Sequence, residues 1–438
     1  MTADIEPRLA ESHTAAQAVT AAATRHARAT GLLKPDTVLA EAHPALAGFA
    51  DPRYNPAADL PVDVEAAPPP PSADWCTRYL GELYQAESTE ARKGRALCQT
   101  PEFVSRLLLT CTWDNAVHAL HRDPYPEAPA PLPVRAIDPA CGTGHLLVDL
   151  LQAAFVDSQL RDREARVRDA LAVVHGVDVD PFAVAIARYR LLVEACRWLR
   201  CRLDEAPPDL PIQVAAANSL LYRETAPAED GALFAVDPAP ADLTPPGGPH
   251  ADAHLFPGIL ADGRYDVVVA NPPYVTVKDP VERDAIRGAY RQVCSGRYSL
   301  AVPFEPLLHR LAKPGGWVAR ITANSFMKRE FGRPLIERFF PTIHFEWVID
   351  TSGAYIPGHG TPTVILVSRN QPPAGDRVRT VLGKRGEPTR PERPERGRVW
   401  RAIADAVYRF ERGRRCAADL WREHDLAMPS ITELEESA

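Results

Sequence analysis

The 438-residue sequence contains eight cysteines, at positions 76, 98, 111, 141, 196, 201, 294 and 416, yet no C-x-x-C pair and no histidines at zinc-finger spacing beside them. Reduced thiols and no metal site are the expectation. A cleavable leader pattern is also missing, because the Ala-rich start is interrupted by Glu6, Arg8 and Glu11. No apolar run approaches membrane-spanning length, so no membrane partner and a cytoplasmic location are expected. The chain has no excess of positive charge, its formal net charge being −7. The distribution differs from the sum, however. Lys278 to Arg338 holds 12 Lys and Arg against 6 Asp and Glu, and Asp376 to Arg415 holds 13 against 6. That asymmetry permits an anion-facing surface on the C-terminal half, although solvated arginines alone would look the same. With 45% hydrophobic and 24% charged residues, the composition is that of an ordinary soluble protein with a substantial core.

Residues 1–60 are Ala-rich with weak helical periodicity and predict a small helical N-terminal region. Residues 61–73 follow as a Pro-rich linker, with Pro68 to Pro71 consecutive. From Asp74 to Thr112 the pattern is helical, with Thr100 as N-cap and Pro101 in the first turn. After the Pro-rich connection from Pro124 to Pro133, strand-like and helix-like segments alternate, the signature of an α/β fold. Strands are expected near 133–138, 172–178, 212–217, 265–270, 316–322, 345–350 and 361–368, and helices near 144–157, 181–203, 299–312 and 331–340. These make a seven-stranded, mostly parallel, doubly wound sheet within a domain spanning 74–370. The turn Ile356-Pro-Gly-His-Gly360 should make the last strand antiparallel to its neighbour. Glu224 to Gly263 reads as an insert with little structure of its own. Residues 371–438 form a basic extension with a helix from Val399 to Arg412.

Chemistry concentrates at the expected carboxyl ends of the strands, where ligands bind in open α/β sheets. Asn271-Pro-Pro-Tyr274 follows the valine-rich run 266–270. A carboxamide oxygen and a proline-fixed carbonyl, from Asn271 and Pro272, can both accept from a primary amine, and Tyr274 offers a stacking face. A proline-stiffened turn is the plain alternative. Asp138-Pro-Ala-Cys-Gly-Thr-Gly144 follows the first strand and opens a helix. Gly142 and Gly144 let the backbone approach a ligand, and Asp138 suits an ammonium group. Leu147 stands where a dinucleotide fingerprint has its third glycine, which argues against a nicotinamide enzyme. Asp178 ends the second strand, where a carboxylate can accept both hydroxyls of a ribose and Val179 can pack on an adenine ring. Asp180 before Pro181 reads as an N-cap. Asn218 ends the third strand, facing an amino group or serving a turn.

Taken in order, Gln99-Thr-Pro-Glu-Phe103, Asp138 to Gly144, Gly176-Val-Asp-Val-Asp180, Asn218, Asn271 to Tyr274 and Lys313-Pro-Gly-Gly316 resemble the γ-group DNA adenine-N6 methyltransferases, including those fused in Type IIG restriction enzymes. The resemblance implies a class I S-adenosylmethionine-dependent methyltransferase fold and methylation of adenine N6 in double-stranded DNA. It also implies a cofactor pocket lined by Thr100, Asp138, Ala140, Asp178, Val179 and Asn218. Asn271, Pro272 and Tyr274 would hold the flipped base, with Pro273 and Phe331 as further base contacts. Asn218 departs from the family's acidic residue, which implies weaker cofactor binding. The segment after Arg369 is short for a target-recognition region. Leu382 to Pro388 with Val399-Trp400 is similar to methyltransferases of BREX phage-defence systems, which suggests a specificity or defence partner protein. No acidic pair with a nearby Glu-x-Lys suggests a fused nuclease. Protein-glutamine or RNA methylation, and a non-autonomous subunit, are the alternative readings.

Overall fold

The computed structural model describes residues 5–71, 76–94, 97–120, 130–222, 252–382 and 386–420. Most of the expected 224–263 insert, the start of the 124–133 connection, Lys384 with its neighbours, and the acidic C-terminal end lie outside the described residues. In chain order the elements begin α1 (Ile5–Ala29), α2 (Arg78–Glu87), α3 (Glu102–Cys111), α4 (Trp113–Leu120), β1 (Ala136–Asp138), α5 (His145–Asp157), α6 (Arg163–Val173), β2 (Val174–Asp178), α7 (Pro181–Leu199) and β3 (Gln213–Ala216). They continue with β4 (Tyr265–Ala270), α8 (Pro280–Ala289), α9 (Ala301–Leu311), β5 (Ala312–Ala323), β6 (His344–Asp350), β7 (Thr363–Arg369), β8 (Arg379–Val381) and α10 (Arg398–Leu420). The chain forms two compact units, one built from described residues of 5–99, 130–222 and 252–260, the other from those of 100–120 and 261–420.

In the first unit β2 pairs in parallel with both β1 and β3. Short runs such as Val174-His-Gly-Val pair well here because both faces are covered, so no alternation of polar residues is needed. The register sets Asp138 opposite Gly176 and Asp178 opposite Ala216, so β2 and β3 end level and β1 ends two residues earlier. Helix α7 is buried over most of its circumference, from Phe182 to Cys196. Asp180 caps it as expected, accepting from the amides of Phe182 (3.1 Å) and Ala183 (3.3 Å) with Pro181 at the first position. Alanines give α1 a flat face, Ala15, Ala16, Val19, Ala22 and Ala23, that packs closely, while Thr20 and Thr24 return their hydroxyls to carbonyls one turn back. His26 reaches Tyr189 of α7 at 2.8 Å, and Arg25 donates to the carbonyl of Ala67 in the proline-rich stretch. The N-terminal helical residues and that stretch are thus part of the first unit's packing.

In the second unit β4 runs parallel to β5, β7 lies antiparallel between β5 and β6, and β8 joins β6 in parallel. The reversal of β7 expected from Ile356 to Gly360 is present. Eight strands are found among the described residues against the seven expected, the addition being three-residue β8. Helices α6 and α8 were also not anticipated. Two expectations fail locally. Thr100 does not cap α3: Pro101 occupies the N-cap position in an extended conformation, and the helix starts at Glu102. The helix expected over 331–340 is instead a 3-10 turn at Glu330–Gly332 followed by a wider π turn at Leu335–Phe339, because Pro334 has no amide hydrogen to continue an α ladder.

The core of this unit contains charge. Arg320 of β5 is wholly buried and pairs with Glu305 of α9, which is 2% exposed, and it donates to the Ser368 hydroxyl at 2.7 Å. Burial pushes the Glu305 carboxyl up, and the guanidinium opposes that. Arg320→Met should therefore destabilise by about 3–5 kcal/mol by leaving a carboxylate buried alone, whereas adding Glu305→Leu should recover most of the loss. Equilibrium urea unfolding reads both variants, and equal losses in the single and double substitutions would contradict this account.

Candidate active site

The first unit supplies a side-chain-poor loop beside two carboxylates. Asp138, at the end of β1, is buried, and its Oδ1 accepts from the Ala140 amide at 2.9 Å. Burial pushes its carboxyl up to about 8, the charge of Asp178 adds to the rise, and the Ala140 N–H opposes it. Asp178 uses both oxygens on the backbone: Oδ2 accepts from Gly142 and Oδ1 from Asp180, each at 2.8 Å. The loop also bonds back through the Cys141 amide to the Val177 carbonyl at 3.0 Å, so it is tied to β2 at two points.

Both glycines of the loop are obligatory in geometry. Gly142 has φ +51°, and a Cβ there would lie 2.7 Å from a Leu97 methyl; Gly144 has φ +82° and would meet Ala187 at 3.0 Å. Cys141 is buried and its thiol is held well above the usual range by burial, so it is not a nucleophile. Ala140 and Val179 are half-buried in the same turns. Asn218 lies just beyond β3 and makes a turn, its Oδ1 accepting from the Leu220 amide at 3.1 Å; the adjacent Ala217 amide donates to the Asp178 carbonyl at 2.8 Å.

Sequence reasoning missed what supports this loop. Arg190 of α7 is wholly buried and donates Nη1 to the Thr143 carbonyl at 2.6 Å, with Nε on the Thr77 hydroxyl at 3.2 Å. His145 lies 2.9 Å from the same Nη1 and is held neutral by burial and by the Arg190 and Arg78 charges. The Thr143 hydroxyl donates to Gln99 at 3.0 Å, and Gln99 donates to the Gly81 carbonyl at 3.1 Å. A buried arginine within a helix has no local signal, since only the fold reveals that its solvation is replaced by carbonyls.

In the second unit Asn271 follows β4 directly. Its Nδ2 donates to the Thr100 hydroxyl at 3.2 Å, and its Oδ1 accepts from the Tyr274 hydroxyl at 2.7 Å. The carboxamide is thereby oriented, nitrogen toward Thr100 and oxygen toward Tyr274. Tyr274 also reaches the Ile321 carbonyl of β5 at 3.1 Å, which fixes its ring. Pro272 is buried, while Pro273 and Tyr274 are half-buried. Phe331 is half-buried on the 3-10 turn after β5. The imidazole of His359 lies 5.8 Å from the Tyr274 ring at 42°, a neighbour not anticipated from sequence.

The basic surplus of this unit is partly internal. Besides Arg320, Arg379 and Arg414 pair with Glu346, and Lys313 pairs with Asp266. Arg297, Lys328 and Arg329 remain exposed. Among the described residues, no cluster of three or more potential metal ligands occurs and no helix is long and apolar enough to cross a membrane.

Residues 173–356 match the family described as Eco57I restriction-modification methylase. Over 363 residues the chain is 44% identical to the adenine-specific methyltransferase PglX of Streptomyces coelicolor, an alignment covering 77% of this chain and 29% of that protein. The chain therefore spans less than a third of the length of this curated relative. Among solved structures it is similar to the type IIG restriction endonuclease BpuSI (14% identity, TM-score 0.49, 97% of this chain and 43% of that one). It is also similar to a modification subunit of a putative type I restriction enzyme from Vibrio vulnificus YJ016 (18% identity, TM-score 0.42, 72% and 53%). The matched stretch 173–356 includes Asp178, Asn218 and Asn271 to Tyr274, so the strand-end motifs lie in the part of the chain that is similar to the Eco57I restriction-modification methylase family.

Proposed function

We propose that this chain transfers a methyl group from S-adenosylmethionine to the N6 of an adenine flipped out of duplex DNA. The observation that carries the reading is the oriented carboxamide of Asn271, whose oxygen is turned toward the stacking ring of Tyr274. An aromatic amine is a poor nucleophile because its lone pair is delocalised into the ring. Hydrogen bonds from both amine hydrogens, to Asn271 Oδ1 and the Pro272 carbonyl, hold the nitrogen where its lone pair can be used. Tyr274, held by Ile321, presents its face to the base. Unpairing a base costs a few kcal/mol, which stacking and backbone contacts offset. Exposed Arg297, Lys328 and Arg329 suit phosphate contacts.

S-adenosylmethionine, when bound, supplies an electrophilic methyl group on a sulfonium centre. The first unit fits it. Gly142 and Gly144 leave the loop open to close approach, and Asp138 is a buried carboxyl with no cation among the influences on it. Asp138 would take the ammonium, and the Asp178 carboxylate the ribose hydroxyls. The PglX name and the family assignment support adenine methylation over protein-glutamine or RNA methylation.

Asn271→Ala should lower methyl transfer about a hundredfold, by analogy with removal of one aimed polar group in other active sites. Nucleoside analysis of unmethylated DNA incubated with labelled cofactor provides the measurement; N6-methyladenine missing from the wild-type reaction, or undiminished in the variant, would reject the proposal. Thr100→Val should slow transfer about fivefold with cofactor affinity retained, since it frees the Asn271 amide rather than the cofactor; calorimetry alongside the rate separates the two roles. Asp138, with a pKa of about 8, is largely protonated at neutral pH and must ionise to meet an ammonium. Cofactor affinity should therefore rise about tenfold per pH unit from 6 toward 8, with proton release that disappears in Asp138→Asn. Calorimetry in two buffers of different ionisation enthalpy tests this, and binding without proton release at pH 7 would contradict it.

A further inference from the structure

The loop joining β6 to β7 is held at several points. The Thr351 amide donates to the Thr363 carbonyl at 3.2 Å and their hydroxyls meet at 2.7 Å, which closes the loop at its base. The Asn324 amide donates to the Pro362 carbonyl at 3.0 Å, and Ile356 is buried beneath. From outside, the Glu387 amide donates to the Gly353 carbonyl at 3.0 Å and the Arg390 guanidinium lies 4.8 Å over the Tyr355 ring. So constrained, the loop carries His359 to the ring of Tyr274, tilted rather than stacked on it.

Both ring nitrogens of His359 are shielded from solvent, and neither finds a hydrogen-bond partner among the described residues. A neutral imidazole always bears one N–H, and a buried N–H without a partner is costly enough that native structures rarely keep one without a reason. If packing were the purpose, a phenyl ring would fill the space without that cost. Adenine supplies what the imidazole lacks. With its amino group held by Asn271 and Pro272, its ring nitrogens remain as acceptors at the edge of a base lying on Tyr274.

We propose that His359 is a substrate-base contact whose imidazole turns out of its cover to donate an N–H to a ring nitrogen of the adenine stacked on Tyr274. The inference rests on the base-binding reading of Asn271 to Tyr274 and adds the residue that reads the purine edge. Burial holds the imidazole pKa down to about 4, so the ring is neutral through the physiological range and keeps one donor. A pyrimidine or a purine lacking that ring nitrogen leaves the donor unpaired, which makes the contact a source of base discrimination.

The test is a chemical double-mutant cycle on the full chain with saturating S-adenosylhomocysteine. Duplex oligonucleotides carrying one unpaired adenine, or 1-, 3- or 7-deazaadenine in its place, are titrated by fluorescence anisotropy. The wild type should bind one deaza analogue about fivefold more weakly than adenine, as expected for one lost hydrogen bond. His359→Phe should lose about the same factor on adenine and show no preference among the four bases. His359→Gln, which keeps a donor, should retain part of the discrimination and guards against a folding defect in the phenylalanine variant. Identical discrimination in wild type and His359→Phe, or none in the wild type, overturns the histidine assignment while leaving base binding in place. A wild type that does not prefer the unpaired adenine over a fully paired duplex, or that is indifferent to Tyr274→Ala, overturns the base-binding reading and this inference with it.

Discussion

A carboxamide draws an amine toward itself only if its oxygen, not its nitrogen, faces that amine. Here Asn271 Nδ2 lies on the Thr100 hydroxyl at 3.2 Å and Oδ1 faces the Tyr274 hydroxyl at 2.7 Å. The rest of the second unit holds this arrangement still. The parallel pairing of β4 with β5 sets Asn271 at a strand terminus, and the Ile321 carbonyl of β5 anchors the tyrosine that the base would lie on. Amides and hydroxyls hold these positions without titrating, so the orientation does not change with pH.

The first unit works by the opposite means, through charge. Asp138 and Asp178 sit at neighbouring strand ends with a loop of backbone amides between them, and the burial that raises the Asp138 carboxyl means that it must give up a proton before it can meet a cation. Arg190 is the counterpart beneath. Its charge is fully buried yet directed at the Thr143 carbonyl, so the loop is held from behind by a guanidinium and from in front by Asp178. Replacing water around a buried ion with carbonyl groups requires close geometry, which explains the short 2.6 Å contact and the depression of the arginine to about 9.

Much of this was legible before any coordinates. The β-branched runs ending in Asp138, Asp178 and Asn271 predicted strands because such runs are stable only when buried on both faces, and Asp180-Pro181 predicted a cap because both residues act through local backbone geometry. The failures have physical causes as well. Thr100 read as a cap from its position before Pro101 and Glu102, but its hydroxyl had a stronger claim 171 residues away. The stretch 331–340 read as a helix because periodicity does not register the missing amide of Pro334.

Sequence alone therefore determined the principal strands and what each strand end carries, since propensity, proline placement and apolar runs act over a few residues. Tertiary structure alone decided which way the Asn271 amide faces, that Arg190 is buried beneath the glycine loop, and that His359 stands beside Tyr274 with neither ring nitrogen partnered among the described residues. Each of these depends on a partner distant in the chain. Hydrogen-bond direction, desolvation and the absence of a partner are properties of a filled volume, and no pattern along a line of residues records them.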